Sequence, residues 1–583
     1  MSNTYVGARY VPLIKGEWTN TIDYEPLTIV TYNSNSYTSK CYVPIGIDIA
    51  NATYWVKTGD FNGITSQLSN DVDTLGRGSV YYLSLNGFTV GDITDNFITF
   101  LSNISNNDVL IIDKYNYILS KNVTCNCNLV FTNGSLSIKS NATLSVTKQI
   151  NAPQQQIFYG DGNLKLLNMT LYPEWFGAKQ VTSTDYDSSP AFNKMFNSID
   201  NSGIVELKTC ENNGTLVSPT YFYYLGSTVT IQKSHIIVNG NNASISGNGS
   251  PILNIINTSY AEEIDIKNLH IYGNNCTNDG VAVTNIQRFK LFDTLIFYCK
   301  RGVVLTDTGN AELTRIICNF AMDTTSLGDC YGFYIQGTNA SLRLNNCHGA
   351  DGYNAGTSFY LSSKVLKDIY LFQCESALAK NGIVIEGTGT EPVEAFDMFI
   401  DSCIIDGFKD AGIIVNNILT GASINIVNNW LTAGKDSQYA IQINNTSSVN
   451  VSQNEIKSTS TQLNGIVFNS AFGNIISNNL IISAYIGIAL SNSNDNVVSN
   501  NMFTSASYYS PNSSVYNVCV QLNGTSAFNS INGNVVHNND VSTKYNAGCQ
   551  IASGCNNNFI IYNIFNSTTL IEDYGSDNTK LPK

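Results

Sequence analysis

The chain has 583 residues and a formal net charge of −14, with 13% charged and 43% hydrophobic residues. An acidic surface repels phosphate backbones, which excludes nucleic acid as an expected partner. No run reaches the roughly 18 uninterrupted apolar residues of a membrane span, so no membrane partner is expected either. With 33 Tyr and 26 Phe the chain is too aromatic to be disordered, and it is too long for one ordinary core, so a repeat architecture is expected. Met1–Tyr10 lacks the basic and apolar stretches of a signal peptide, which predicts synthesis in a cytoplasm.

Residues 1–62 read as a small β module in which Trp18, Tyr24, Tyr32, Tyr37, Tyr54 and Trp55 are too dense for a linker. The phrase resembles the small chitinase-type carbohydrate-binding modules. These share the order Trp, Tyr, a Val-x-Tyr-x-Gly-x-x-Tyr hairpin and a terminal Trp-x-x-x-Gly; Asn35 stands where the hairpin Gly would be. The resemblance implies that Trp18, Tyr37 and Trp55 stack on sugar rings. The same aromatics would equally fill a core that has few aliphatic residues.

Residues 63–78 carry Ile64, Leu68, Val72 and Leu75 at helical spacing, stopped by Gly76 and Gly78. This predicts a short helix, either one strand of a trimeric coil or an intramolecular helix. Residues 79–175 predict a small β domain of short strands, with Cys125 and Cys127 on one strand face as core.

Then comes Glu174-Trp175-Phe176-Gly177-Ala178-Lys179, followed by Asp185, Asp187, Ser188 and an amphipathic stretch around Ala191–Ile199. This order resembles the beginning of the pectate-lyase-like β-helices of bacteriophage tailspikes, with a helix capping the first coil. Gln180-Val181-Thr182 replace the Gly-Asp-Gly usual there.

Residues 176–570 predict an all-β fold, a right-handed parallel β-helix, with 571–583 as a tail. One phrase recurs: a small or acidic residue, alternating apolar residues, then Cys299, Cys318, Cys347, Cys374 and Cys403, and after these Asn429, Asn454, Asn479, Asn501, Asn539 and Asn563. Steps of 19 to 38 residues, by subtraction of those positions, indicate a solenoid whose coils stack identical positions in a column. Stacked Asn side chains can satisfy buried turn amides, and Cys in the same column acts as a small buried hydrophobe. Because these cysteines fall one per coil, free thiols are expected, and no metal or cofactor. Gly-Ile or Gly-Phe pairs (Gly332, Gly382, Gly412, Gly465, Gly487) recur at a second offset, which suggests bends between sheets. The residues six before the rungs, among them Asp293, Glu312, Asp368, Asp397 and Asp495, read as turn caps, not general acids.

With the turn column set aside, the richest stretch for chemistry is Arg343 to Asp410. His348 and Glu375 follow the rung on neighbouring coils, and Trp430 and Glu455 continue that column. Asp401 and Asp406 flank Cys403, while Arg315 and Arg343 lie on strands below. His348, Glu375, Asp401 and Asp406 are therefore the candidate catalytic groups, and Arg315, Arg343, Trp430 and Glu455 the candidate substrate contacts. A solvated edge would show the same charges. The inserts at Lys435–Tyr439 and Ser505–Val515 are further candidate binding loops. The tailspike resemblance implies a homotrimer, attachment to other virion tail proteins through the N-terminus, and host surface polysaccharide as partner. It leaves open a receptor-binding component or a depolymerase on the same scaffold.

Overall fold

A computed structural model of the chain describes residues 12–33, 35–60, 78–210, 214–319, 330–350, 356–387, 394–418, 423–460, 462–504, 517–537 and 545–581, with side chains at 258–261, 363–366 and 394–396 set aside. The expected helix at 63–78 and the insert at Ser505–Val515 lie, all but a residue, outside this set.

In the N-terminal module, strands Leu13–Glu17, Thr28–Tyr32, Asn35–Ser39 and Trp55–Gly59 form one sheet in chain order. The first pair is parallel and the other two are antiparallel. Tyr24, Val30, Val43, Ile49 and Trp55 make its core, with Trp18, Tyr32 and Tyr37 packed against them.

From residue 78 onward the chain winds as a right-handed parallel β-solenoid of about 17 turns. In the upper coils its strands are short, three residues in Glu375–Ala377 and six in Tyr439–Asn444, because a turn soon follows each inward-pointing stretch. Leu253–Tyr272 and Asp279–Phe297 instead run through the corner as single long strands. Segment 79–175, set apart in the sequence as a domain of its own, adds coils to this same stack. Val109–Ile112 pairs in parallel with Asn128–Phe131, and Thr143–Val146 with Asn163–Leu171. One hydrophobic core runs unbroken from Leu83 to Phe565. The helix Ser189–Ser198 buries Phe192, Met195 and Phe196 in this core, beside strands Asn163–Leu171 and Val229–Ile231. The expected tail also winds on, since Thr579–Leu581 pairs with Phe559–Ile561.

Each upper coil presents three faces. The first holds strands such as Asn381–Gly387 and Ala411–Asn416, the second Ile424–Val427 and Val449–Ser452, and the third Trp430–Ala433 and Glu455–Ser458. The rung column lies between the second and third faces. Asn454 donates its backbone N–H and its side-chain amide to Asn479 Oδ1, both at 3.0 Å, and Asn479 does the same to Asn501 at 3.0 and 2.9 Å. The next rungs are Asn534 and Asn563, not Asn539, which lies outside the described residues. Five residues ahead of these rungs stands a second ladder, Asn474, Asn496, Asn529, Asn558 and Asn578.

Cys347, Cys374 and Cys403 continue the first ladder downward and do part of the same work. Their thiols point at the carbonyls of Leu313, Leu344 and Leu371 at 3.3, 3.3 and 3.5 Å, as Asn429 Nδ2 donates to Ile400 at 2.9 Å. Cys318 and Cys299 leave the column, for Ile316 pairs with Thr294 and Cys318 with Ile296. The column follows the left-handed kink, which sits at Asp293 (φ 47°) and Arg315 (φ 55°), rather than the cysteine. Asp368, Asp397 and Asp495 do occupy a left-handed turn, at φ 52°, 42° and 57°; Glu312 lies in a strand instead.

Of the 14 cysteines only Cys41 is exposed. A thiol reagent should therefore label one cysteine in the native protein and the rest only after denaturation, a count readable by intact mass. More than two fast labels would contradict this burial.

Candidate functional site

The corner between the second and third faces is tight because one left-handed residue makes it. Arg315, Asn346, Gln373, Ser402, Asn428, Gln453, Asn478 and Asn500 occupy that position on successive coils, with φ from 51° to 58°. The rung residue then turns inward, and the residue after it starts the third face pointing outward. His348, Glu375, Ile404, Trp430 and Glu455 are those residues, paired in that order.

His348 Nε2 lies 3.9 Å from Glu375 Oε1 and has no hydrogen-bond partner. Ile404 and Trp430 are 43% and 37% exposed, so a bare ring and an aliphatic chain follow the polar pair. Asp406 sits on the coil above Glu375, two residues further along the same outward face. Above Glu455 the column turns apolar, with Leu480, Met502 and Val535.

Across the corner, on the second face, Arg343 lies over the Tyr370 ring at 5.8 Å, and Tyr370 stacks on Phe399 at 5.1 Å. Asp401 shares that face and accepts hydrogen bonds from Ser402 Oγ at 2.9 Å and Asn428 Nδ2 at 3.1 Å. Arg315 stands apart. Its guanidinium grips Asp293 at 2.5 and 2.7 Å, which lowers the Asp293 carboxyl below its usual range and raises Arg315. The structure thus brings His348, Glu375, Trp430, Glu455 and Asp406 onto one strip, places Arg343 and Asp401 beside it, and ties Arg315 to the turn.

In the N-terminal module Trp55 is 2% exposed, edge-on to Tyr24 at 5.1 Å. Its ring is core and has no face to offer a sugar. Trp18 and Tyr37 are half-buried.

The first face holds a cluster that pattern reading missed. Arg301 binds Asp279 at 2.6 and 2.8 Å and lies over the Tyr334 ring at 5.0 Å. Tyr334 stacks on Tyr360 at 5.2 Å, and Tyr360 donates to Glu386 at 2.7 Å. Burial, and then Glu386, raise the Tyr360 hydroxyl well above its ordinary range. The signal was present in the recurring Phe-Tyr pairs 333/334 and 359/360. Phe333 stacks inward on Phe359 at 4.8 Å, so the next residue of each pair must stack outward.

Residues 362–581 match the family model described as NosD, periplasmic copper-binding protein. The donors do not fit copper: among the described residues no group of three or more His, Cys, Asp and Glu could hold a metal ion. Burial raises the thiols of Cys318 and Cys374 well above their ordinary range, and that of Cys403 also rises, through the neighbouring Cys374 thiol first and then burial. No curated protein matches the chain in sequence.

Among solved structures, ORF18 of Geobacillus virus E2 aligns at 16% identity and TM-score 0.30, over 70% of this chain and 61% of that one. This chain thus spans less than two thirds of the viral protein. Tailspike protein 3 of bacteriophage CBA120 aligns at 11% identity and TM-score 0.44, over 98% of this chain and 79% of that one. The A-module of the mannuronan C-5 epimerase AlgE4 of Azotobacter vinelandii aligns at 13% and 0.31, over 71% and 100%. The class is that of right-handed β-helix proteins; at these values the likeness carries no residue correspondence. Among the described residues, no helix is long and apolar enough to cross a membrane.

Proposed function

We propose that this chain is a phage tail appendage protein that binds host surface polysaccharide along the corner between its second and third faces. The observation that carries this reading is the strip His348, Glu375, Ile404, Trp430, Glu455, where an open ring follows a His–Glu pair on consecutive coils. Saccharides present hydroxyls and apolar ring faces in alternation, and such a strip answers both. The chain assembles as a homotrimer docked to the tail through its N-terminal module.

Trp430→Ala should weaken binding to a polysaccharide the protein adsorbs to by about tenfold, roughly 1.4 kcal/mol, measured by biolayer interferometry. Unchanged affinity would remove the strip from the reading. A monomeric mass by light scattering would remove the trimer.

The second reading is a depolymerase on the same strip. Glu375 and Asp406 project from adjacent coils of one face, with His348 beside Glu375. Two carboxylates flanking a bond can act as acid and base or nucleophile, and a His can take a proton in a lyase. Incubation with a bound polysaccharide should then release reducing ends, or products with the ultraviolet absorbance of an unsaturated sugar. If no oligosaccharide is released, the binding reading stands alone.

A further inference from the structure

Away from the strip, the turn Pro173–Phe176 and the residues after it border a cavity of about 520 Å³, to which the turn itself contributes Glu174. That volume lies within the range of roughly 300–1,000 Å³ typical of small-ligand sites. Glu174 lines it and is only 7% exposed. One carboxylate oxygen, Oε1, accepts from the Tyr223 hydroxyl, while Oε2 is buried and has no partner. A buried, unmatched carboxylate oxygen is costly, and a ligand donor would relieve it. The rim supplies the complement: Lys179 and Lys208, the amides of Gln156 and Gln180, and the ring of Tyr221, which is 37% exposed. Gly177, at φ +106°, has room only for Gln156 above it, so the wall is shaped by a position that favours glycine.

We propose that this cavity is a second saccharide site, taking a short oligosaccharide end whose hydroxyl donates to Glu174 Oε2 while Lys and Gln donors hold its oxygens. A cation is the poorer fit, because two lysines border a single carboxylate. Burial raises the Glu174 carboxyl above its ordinary range, and a hydroxyl donating to Oε2 would favour the ionised form and offset that rise. The site is independent of the strip around Trp430, and its failure would leave that reading untouched.

The test is an array of neutral and uronate-bearing di- to tetrasaccharides probed with the full chain and three variants. Wild type should bind a subset of the array. Glu174→Gln and Tyr221→Ala should each weaken that subset by roughly tenfold, as expected for one charge-assisted hydrogen bond or one stacking face. Tyr221 is a surface residue, so its variant keeps the test valid even if Glu174→Gln fails to fold. The proposal is overturned if wild type binds nothing on the array. It is equally overturned if Tyr221→Ala binds the subset within twofold of wild type, or if Trp430→Ala alone abolishes it.

Discussion

Replacing Asn479 by alanine should destabilise the solenoid by about 4 kcal/mol, near the upper end for a single substitution. The side chain makes four hydrogen bonds inside the stack. Its Oδ1 accepts two from Asn454 at 3.0 Å, and its Nδ2 donates to Val451 O and Asn501 Oδ1, each at 2.9 Å. Alanine leaves the buried Asn454 N–H without its acceptor and takes the Asn479 amide from the Val451 carbonyl and from Asn501 Oδ1, and a buried group left unpaired costs about 1–3 kcal/mol. Asn479→Cys should cost clearly less, because Cys374 and Cys403 show that a thiol in this column can serve the carbonyl. Asn450→Ala is the control: it lies on the second face and makes one side-chain bond, to Asn425 at 3.2 Å. Denaturant unfolding of the four proteins checks the order. If Asn479→Ala and Asn450→Ala unfold at the same concentration, the ladder is not what holds the coils.

Gly487→Ala should cost about 2–3 kcal/mol for a different reason. A Cβ there would sit 2.4 Å from Phe503 Cε1 and 2.5 Å from the Cys519 carbonyl oxygen. The recurring glycines of the first face thus serve close approach between coils, not the bending expected from their spacing; Gly382 and Gly465 would likewise meet the carbonyl of the coil above at 2.5 Å. Gly473→Ala offers the contrast. Its added Cβ meets nothing within 4 Å, and only the positive φ of 66° opposes it, a strain of about 1 kcal/mol. Thermal unfolding should rank Gly487→Ala below Gly473→Ala. The reverse order would mean that the stack relaxes around the methyl group more easily than the turn does.

The fold was legible because a solenoid writes its period into the chain, and because buried amides at a corner demand Asn on every coil. Where the corner residue was free to vary, reading failed. Cys299 and Cys318 look like rungs by type, yet the kink at Asp293 and Arg315 sets the register. The recurring NN of the phrase points to Asn539, whereas the pairs spaced five apart, such as 496/501 and 529/534, mark both ladders and put the rung at Asn534. Coils before residue 176 carry no Asn rung, so nothing in their sequence tied them to the stack. Of the candidate site, register alone placed His348 beside Glu375 and Trp430 beside Glu455. It could not show that Arg315 is held by Asp293, that Trp55 is enclosed, or that Glu174 lines a cavity, since each depends on contacts between turns.

The ladder has one more consequence, for the growth of the molecule. Asn454, Asn479 and Asn501 each meet an identical rung above and below, so the coils there are interchangeable at this seam. Excising the residues from Trp430 through Asn454 would set Asn429 directly against Asn479, and the bonds across the join would be the same ones. The rod would be shorter by one rise of about 4.8 Å. Length in this protein is therefore quantised, and genetic duplication or loss of one coil can change its reach without redesigning either neighbour.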